Sequence, residues 1–126
     1  MEELSAVKYE EKKSRFFAHL YLIDSPSEYH DIIEIHKKNY RKAAHHCSAM
    51  NYSDANKRIF QEFKSDGEVG HPGRVLMAVL QNNGLCSHVL VVSRIFGGIR
   101  LGPAGVSRAF KDVGEMCAGM NLKKEN

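Results

Sequence analysis

The sequence predicts an α/β fold of two layers, a mixed sheet of four or five strands with the helices on one face. Three observations predict it. The chain has 126 residues, 43% hydrophobic and 26% charged, the size and mixture of one globular domain over residues 1–126. Stretches alternating apolar and polar residues with a period of two are interleaved with stretches spaced at three and four. Their order, strand-strand-helix-strand-strand-helix-strand-helix, lets sheet and helices cover each other's apolar faces.

Residues 5–10 (SAVKYE) alternate as a half-buried strand does. Lys12-Lys13-Ser14 reads as a turn, and residues 15–23 (RFFAHLYLI) as a second, richly apolar strand. The first helix starts at a capping box, with Ser25 as cap, Pro26 in the first helical position and Glu28 closing the S-x-x-E pattern. Tyr29, Ile32, Ile33, His36 and Tyr40 follow at helical spacing, so one face packs on a sheet. Residues 44–52 and 57–64 read as two strands around a polar turn, the second with Ile59 and Phe63 on one side. After a loop over 65–73, residues 74–80 (RVLMAVL) form a buried helix that stops at Asn82-Asn83-Gly84. Residues 86–93 supply a core strand centred on 89–92. A second glycine loop, 96–102, leads to a last helix over 103–118 that starts at Pro103 and buries Val106, Phe110, Val113 and Cys117.

Charge is segregated along the chain. The net charge is +3, yet residues 70–111 hold no acid and five bases: Arg74, Arg94, Arg100, Arg108 and Lys111. Unneutralised charge of one sign points to an anionic partner; the alternative is that the five scatter over different faces. Three widely spaced cysteines, Cys47, Cys86 and Cys117, argue against a disulfide framework and fit a reducing cytoplasm. The apolar runs, Val89 to Val92 among them, are too short to span a bilayer. The opening Met-Glu-Glu-Leu-Ser carries acids where a secretory signal needs bases. A cytoplasmic protein with no membrane partner is expected.

Seven of the ten glycines fall in the two loops or just after: Gly67, Gly70, Gly73, Gly97, Gly98, Gly102 and Gly105. The second loop joins a core strand to a helix N-terminus, whose free N–H groups favour anions. It is not a P-loop, because Pro103-Ala104 stand where Lys-Ser/Thr would be. Two readings stay open, an anion seat and a tight turn that packs the helix on the sheet. His45 and His46 are neighbours on a strand and point to opposite faces, so they cannot chelate one ion together. No metal and no cofactor is expected. Asp66-Gly67-Glu68 has the composition of a turn, and neither a Ser nucleophile elbow nor HExxH is present, so no catalytic residue is assigned. Arg94, on the face of Val92, is expected to tie the two glycine loops together through Asp66 or Glu68. Arg100 is expected at the surface, where its fork suits a phosphate.

Four stretches taken together carry a resemblance: Lys13-Ser14-Arg15-Phe16-Phe17-Ala18, Ala44-His45-His46-Cys47, Ser65-Asp66-Gly67-Glu68, and the run from Val91 through Gly102 (VVSRIFGGIRLG). In this order and spacing they resemble the conserved domain of the IMPACT family of translation-linked proteins, over residues 8–118. Ile95 stands where the family usually has a first aromatic before Gly-Gly. The resemblance implies a fold similar to a domain of a small-subunit ribosomal protein and to domain IV of elongation factor G, a fold associated with RNA or ribosome contact. It makes His45, His46, Asp66, Gly67 and Glu68 family-motif residues. The regulatory role of eukaryotic members, opposing a starvation-responsive kinase, is implied only weakly, since it runs largely through an additional N-terminal domain. The expected function is a non-catalytic binding module linked to translation or its regulation. It would contact RNA or the ribosome through Arg74, Arg94, Arg100, Arg108 and Lys111 around Gly97, Gly98 and Gly102. The alternatives are a hydrolase and a protein–protein adaptor in translational stress control, the latter through Phe17, Tyr21 and Phe96.

Overall fold

In the computed structural model, which describes residues 1–125, eight elements follow the expected order. They are β1 (Glu2–Glu11), β2 (Ser14–Leu22), α1 (Glu28–Asn39), β3 (His45–Ser53), β4 (Ile59–Lys64), α2 (Pro72–Asn82), β5 (His88–Ile95) and α3 (Gly102–Glu125). β1 and β2 form a hairpin in which Glu11 faces Ser14, leaving Lys12 and Lys13 as a two-residue loop. Both have positive φ, 44° and 68°, the geometry that matches the twist of the paired strands. The start of α1 differs from the expected capping box. Its cap position is Ser27, which makes no side-chain cap bond, while Ser25 and Ser27 bond each other through their hydroxyls at 2.7 Å. Glu28 still reaches back, accepting the Asp24 N–H at 2.8 Å, so half of the motif survives one residue out of place.

The five strands form one sheet in the order β1-β2-β5-β3-β4. Every neighbouring pair is antiparallel, which corrects the expectation of a mixed sheet. β2 and β3 do run parallel to each other, but β5 inserts between them and is antiparallel to both. β4 lies at an edge with most of its residues exposed, Ile59 and Phe63 included.

The expectation of helices on one face is also corrected. Phe16, Ala18, Leu20, Leu90 and Val92 pack with α2 and α3 through Leu76, Leu80, Val106 and Phe110. The alternate residues Tyr21, Val89 and Val91, with Met50, pack on the other face against Tyr29, Ile32 and Ile33 of α1. The physical reason lies in β5, a central strand with four consecutive buried valines and leucines. Such a strand needs cover on both sides. The topology agrees with this. The crossover from β2 to β3 and the one from β4 to β5 superpose on an in-plane half-turn of the sheet. Two crossovers of one hand would therefore put α1 and α2 on the same face. They lie on opposite faces, so one crossover is left-handed, whereas about 98% of such connections are right-handed.

Beneath α1 the apolar layer contains a polar chain. Tyr21 OH lies 3.1 Å from His36 Nε2, His36 Nδ1 3.1 Å from Ser93 Oγ, and Ser93 Oγ 2.7 Å from His46 Nδ1. A one-way relay satisfies every atom with both rings neutral: tyrosine donates to His36, His36 to the serine, and the serine to His46. His19, itself bonded to the Glu3 carboxylate, packs edge-on to His36, and Tyr40 lies beside it. Burial, with smaller contributions from His19 and His46, pushes the His36 pKa from 6.5 down to about 3. Burial also lowers His46. As pH falls through 6.5 the unfolded chain takes up a proton that folded His36 refuses until about pH 3. Stability is complete above that window and falls across it by about 1.4 kcal/mol per pH unit for each such proton. Urea unfolding at pH 7 and pH 5 checks this, and His36→Gln should flatten the dependence; an unchanged midpoint in the parent would refute it.

Candidate functional site

The four stretches that carry the resemblance meet at one end of the sheet, and their side chains explain one another. Ser65–Glu68 is a tight turn closed by Glu68 N–H donating to the Ser65 carbonyl at 2.9 Å. Its central residues, Asp66 and Gly67, have φ of 52° and 75°, which asks for an Asp-Gly pair. The turn is fastened to β3: His46 N–H donates to Asp66 Oδ2 and His45 Nδ1–H to the Asp66 carbonyl, both at 2.8 Å. Cys47 donates its S–H to the Ser65 carbonyl, and burial raises the pKa of this thiol. His45 and His46 diverge as expected, one toward the turn and one into the polar chain under α1.

Glu68 then reaches β5. Its Oε2 accepts from Arg94 Nη1 at 2.9 Å, and both side chains are almost wholly buried, 4% and 7% exposed. Arg94 donates from Nη2 to Ser14 Oγ at 3.3 Å, and its guanidinium sits between the rings of Phe16 and Phe96, 5.6 and 5.7 Å from their centroids. Its Nε has no hydrogen-bond partner. Ser14 also accepts the Gly97 N–H at 3.2 Å. One buried ion pair thus ties both glycine loops and the β1–β2 turn. Of the two candidate partners of Arg94, Glu68 holds it.

Between the loops lies a cleft of about 510 Å³, lined by Ala44, His45, Glu68, Val69, Arg94, Phe96, Arg100, Leu101, Gly102, Pro103 and Val106. Phe96 and Val69 are half exposed, at 49% and 51%. His45 Nε2 faces Glu68 Oε2 at 3.7 Å, beyond hydrogen-bond reach. Arg100 is exposed at this cleft, beside the first residue of α3, and takes part in none of the ion pairs among the described residues.

The other sequence-predicted bases are dispersed. Arg108 lines a neighbouring groove of about 430 Å³ with Lys12, but Glu11 and Asp112 line it too, so the stretch without acids in sequence is not without acids in space. Arg74 and Lys111 are exposed on α2 and α3 and line neither groove. Arg94 is neutralised by Glu68. Gly97 and Gly98 shape the loop, and Gly102 opens α3 at the cleft. Sequence reasoning missed the cleft walls Val69 and Leu101, which look like ordinary loop residues until the two loops are set side by side. It also missed Lys12, whose hairpin position alone brings it to Arg108. Of the three candidate adaptor aromatics only Phe96 is exposed; Tyr21 is buried and Phe17 stacks on Tyr40 at 4.7 Å. Among the described residues no group of three His, Cys, Asp or Glu is placed to hold a metal ion, and no helix is long and apolar enough to cross a membrane.

The geometry of these stretches agrees with what the chain is similar to. The family described as Impact N-terminal domain matches residues 12–118. The IMPACT family member YvyE of Bacillus subtilis is 38% identical over 106 residues, which cover 82% of this chain and 48% of that protein. Protein IMPACT-B of Xenopus tropicalis is 31% identical over 109 residues, 81% of this chain and 34% of its own length. A crystal structure described only as a hypothetical protein superposes with a TM-score of 0.81 at 28% identity, covering 93% of this chain and 60% of that one. The two-domain translational regulator Yih1 has the same fold, with a TM-score of 0.62 at 20% identity, over 94% of this chain and 46% of its own. The chain thus spans about half the length, or less, of these curated relatives. With its four motif stretches converging on one buried ion pair and one cleft, the chain belongs to the IMPACT family.

Proposed function

We propose that this domain is a non-catalytic binding module in translation or its control, and that it takes RNA, ribosomal RNA included, at the cleft between its glycine loops. The observation that carries the reading is Arg100, exposed and unpaired at the mouth of that cleft beside the start of α3. An unpaired guanidinium next to free helix N–H groups suits a phosphate. The lining supports binding over chemistry. It contains no hydroxyl, thiol or amine to act as nucleophile, and Glu68 is held by Arg94 and by the Val69 N–H. The link to translation is supported by the family and by a fold shared with a protein described as a translational regulator.

Titration of ribosomal or transfer RNA at two salt concentrations tests the reading. Affinity should fall as salt rises, because phosphate contacts release counterions. Arg100→Ala should weaken binding, lower the salt slope by about one, and leave the melting temperature nearly unchanged. Binding indifferent to salt or to Arg100→Ala would sink the reading. A protein–protein adaptor is the second reading, favoured by the exposed Phe96, Val69 and Ile99 around the same loops. Partners captured from extract that survive nuclease treatment, and are lost in Phe96→Ala, would support it over RNA.

A further inference from the structure

We infer that the cleft receives a single unpaired base, and that it prefers a base carrying an amino group; this rests on the RNA reading above. A phosphate alone does not account for the lining. Phe96 presents a half-exposed ring whose underside lies on the Arg94 guanidinium, and Val69 and Leu101 supply apolar surface around it. The occupant therefore has a flat apolar face as well as a negative charge for Arg100.

The floor of the cleft selects the edge of that face. His45 Nδ1–H is committed to the Asp66 carbonyl, so with a single proton on the ring Nε2 is an acceptor. Nε2 faces Glu68 Oε2 at 3.7 Å, an oxygen that accepts from Arg94 Nη1 at 2.9 Å and has one lone pair left. An exocyclic amino group has two N–H donors and can satisfy both. A carbonyl in the same place would meet two acceptors. Adenine, cytosine and guanine carry such an amine and uracil does not, while a duplex hides both the faces and most edges of its bases. A planar face, an amine on its edge and a phosphate nearby together describe an unpaired, amino-bearing nucleotide. At about 510 Å³ the cleft falls within the range of small-ligand sites, about 300–1,000 Å³.

Fluorescence anisotropy with labelled twelve-nucleotide RNAs tests this on the intact chain. Oligo-C and oligo-U carry the same charge and differ in the amine against a carbonyl. Oligo-C should bind about tenfold tighter than oligo-U, the size of one good base contact. Annealing oligo-C to its complement should abolish that advantage. His45→Ala should bring oligo-C down to the oligo-U level without changing oligo-U. Phe96→Ala should weaken both single strands about tenfold through lost stacking, and Phe96→Leu, which keeps the apolar packing on Arg94, should recover only part. Melting curves check that each variant folds. Equal binding of the two strands and of the duplex, with Phe96→Ala silent but Arg100→Ala and salt still effective, overturns the base pocket and leaves the RNA reading standing. No binding of any RNA overturns both.

Discussion

Arg94→Ala is expected to destabilise the fold by about 3 kcal/mol, since it strands the carboxylate of a buried pair. Glu68 and Arg94 are both almost fully enclosed, so solvent screens little of their interaction. The loss is also structural, because Arg94 links Glu68, Ser14 and the rings of Phe16 and Phe96. Glu68→Gln should cost less than Arg94→Ala, because an amide oxygen can still accept from the guanidinium. A double variant, Arg94→Met with Glu68→Leu, should recover much of the stability, as apolar replacements of buried pairs often do. Urea unfolding of the four proteins measures all of this. If Arg94→Ala unfolds at the same urea concentration as the parent, the pair contributes nothing.

The second large effect is expected at Gly97. A Cβ built there would stand 2.1 Å from the carbonyl carbon and oxygen of Lys13 and 2.6 Å from the Ser14 nitrogen. Those are backbone atoms of the β1–β2 hairpin, where its loop enters β2, so no side-chain rotation relieves the clash. The loop and the hairpin must part, and the Gly97 N–H then loses Ser14 Oγ. Gly97→Ala should cost on the order of 3 kcal/mol, at the upper end for overpacking. Gly98→Ala is the control. It has φ of 91° but nothing within 4 Å, so it should pay backbone strain alone, about 1–2 kcal/mol. If the two alanines prove equally tolerated, the close approach of loop and hairpin is not a constraint.

These two predictions rest on contacts that link residues far apart in sequence. The tie between Arg94 and the acidic turn was legible beforehand, because alternation put Arg94 on the face of Val92, next to the other glycine loop. Its choice of Glu68 was not, since Asp66 spends its carboxylate on the His46 N–H. The role of Ser14 was hidden as well. A serine after two lysines reads as part of a turn, and only the return of β5 beside β2 brings Gly97 and Arg94 to its hydroxyl.

The sequence by itself determined the number, type and order of the elements, because period-two and period-3.6 patterns are local properties of the chain. It also determined the family, because the motif stretches encode local geometry such as the Asp-Gly turn. Tertiary structure alone decided where the last strand goes. β5 enters the middle of the sheet, which makes every pairing antiparallel, and its four consecutive buried apolar residues call α1 to the opposite face from α2 and α3. The run of valines and leucine held that signal, but a continuous apolar run does not say which helix covers which side. Tertiary structure also decided the charge. Five bases in a stretch without acids look like one patch, yet folding pairs Arg94 with Glu68 and sets Arg108 beside Glu11 and Asp112. Coulomb interactions follow distance in space, and of those five it is Arg100 that stands unpaired at the cleft.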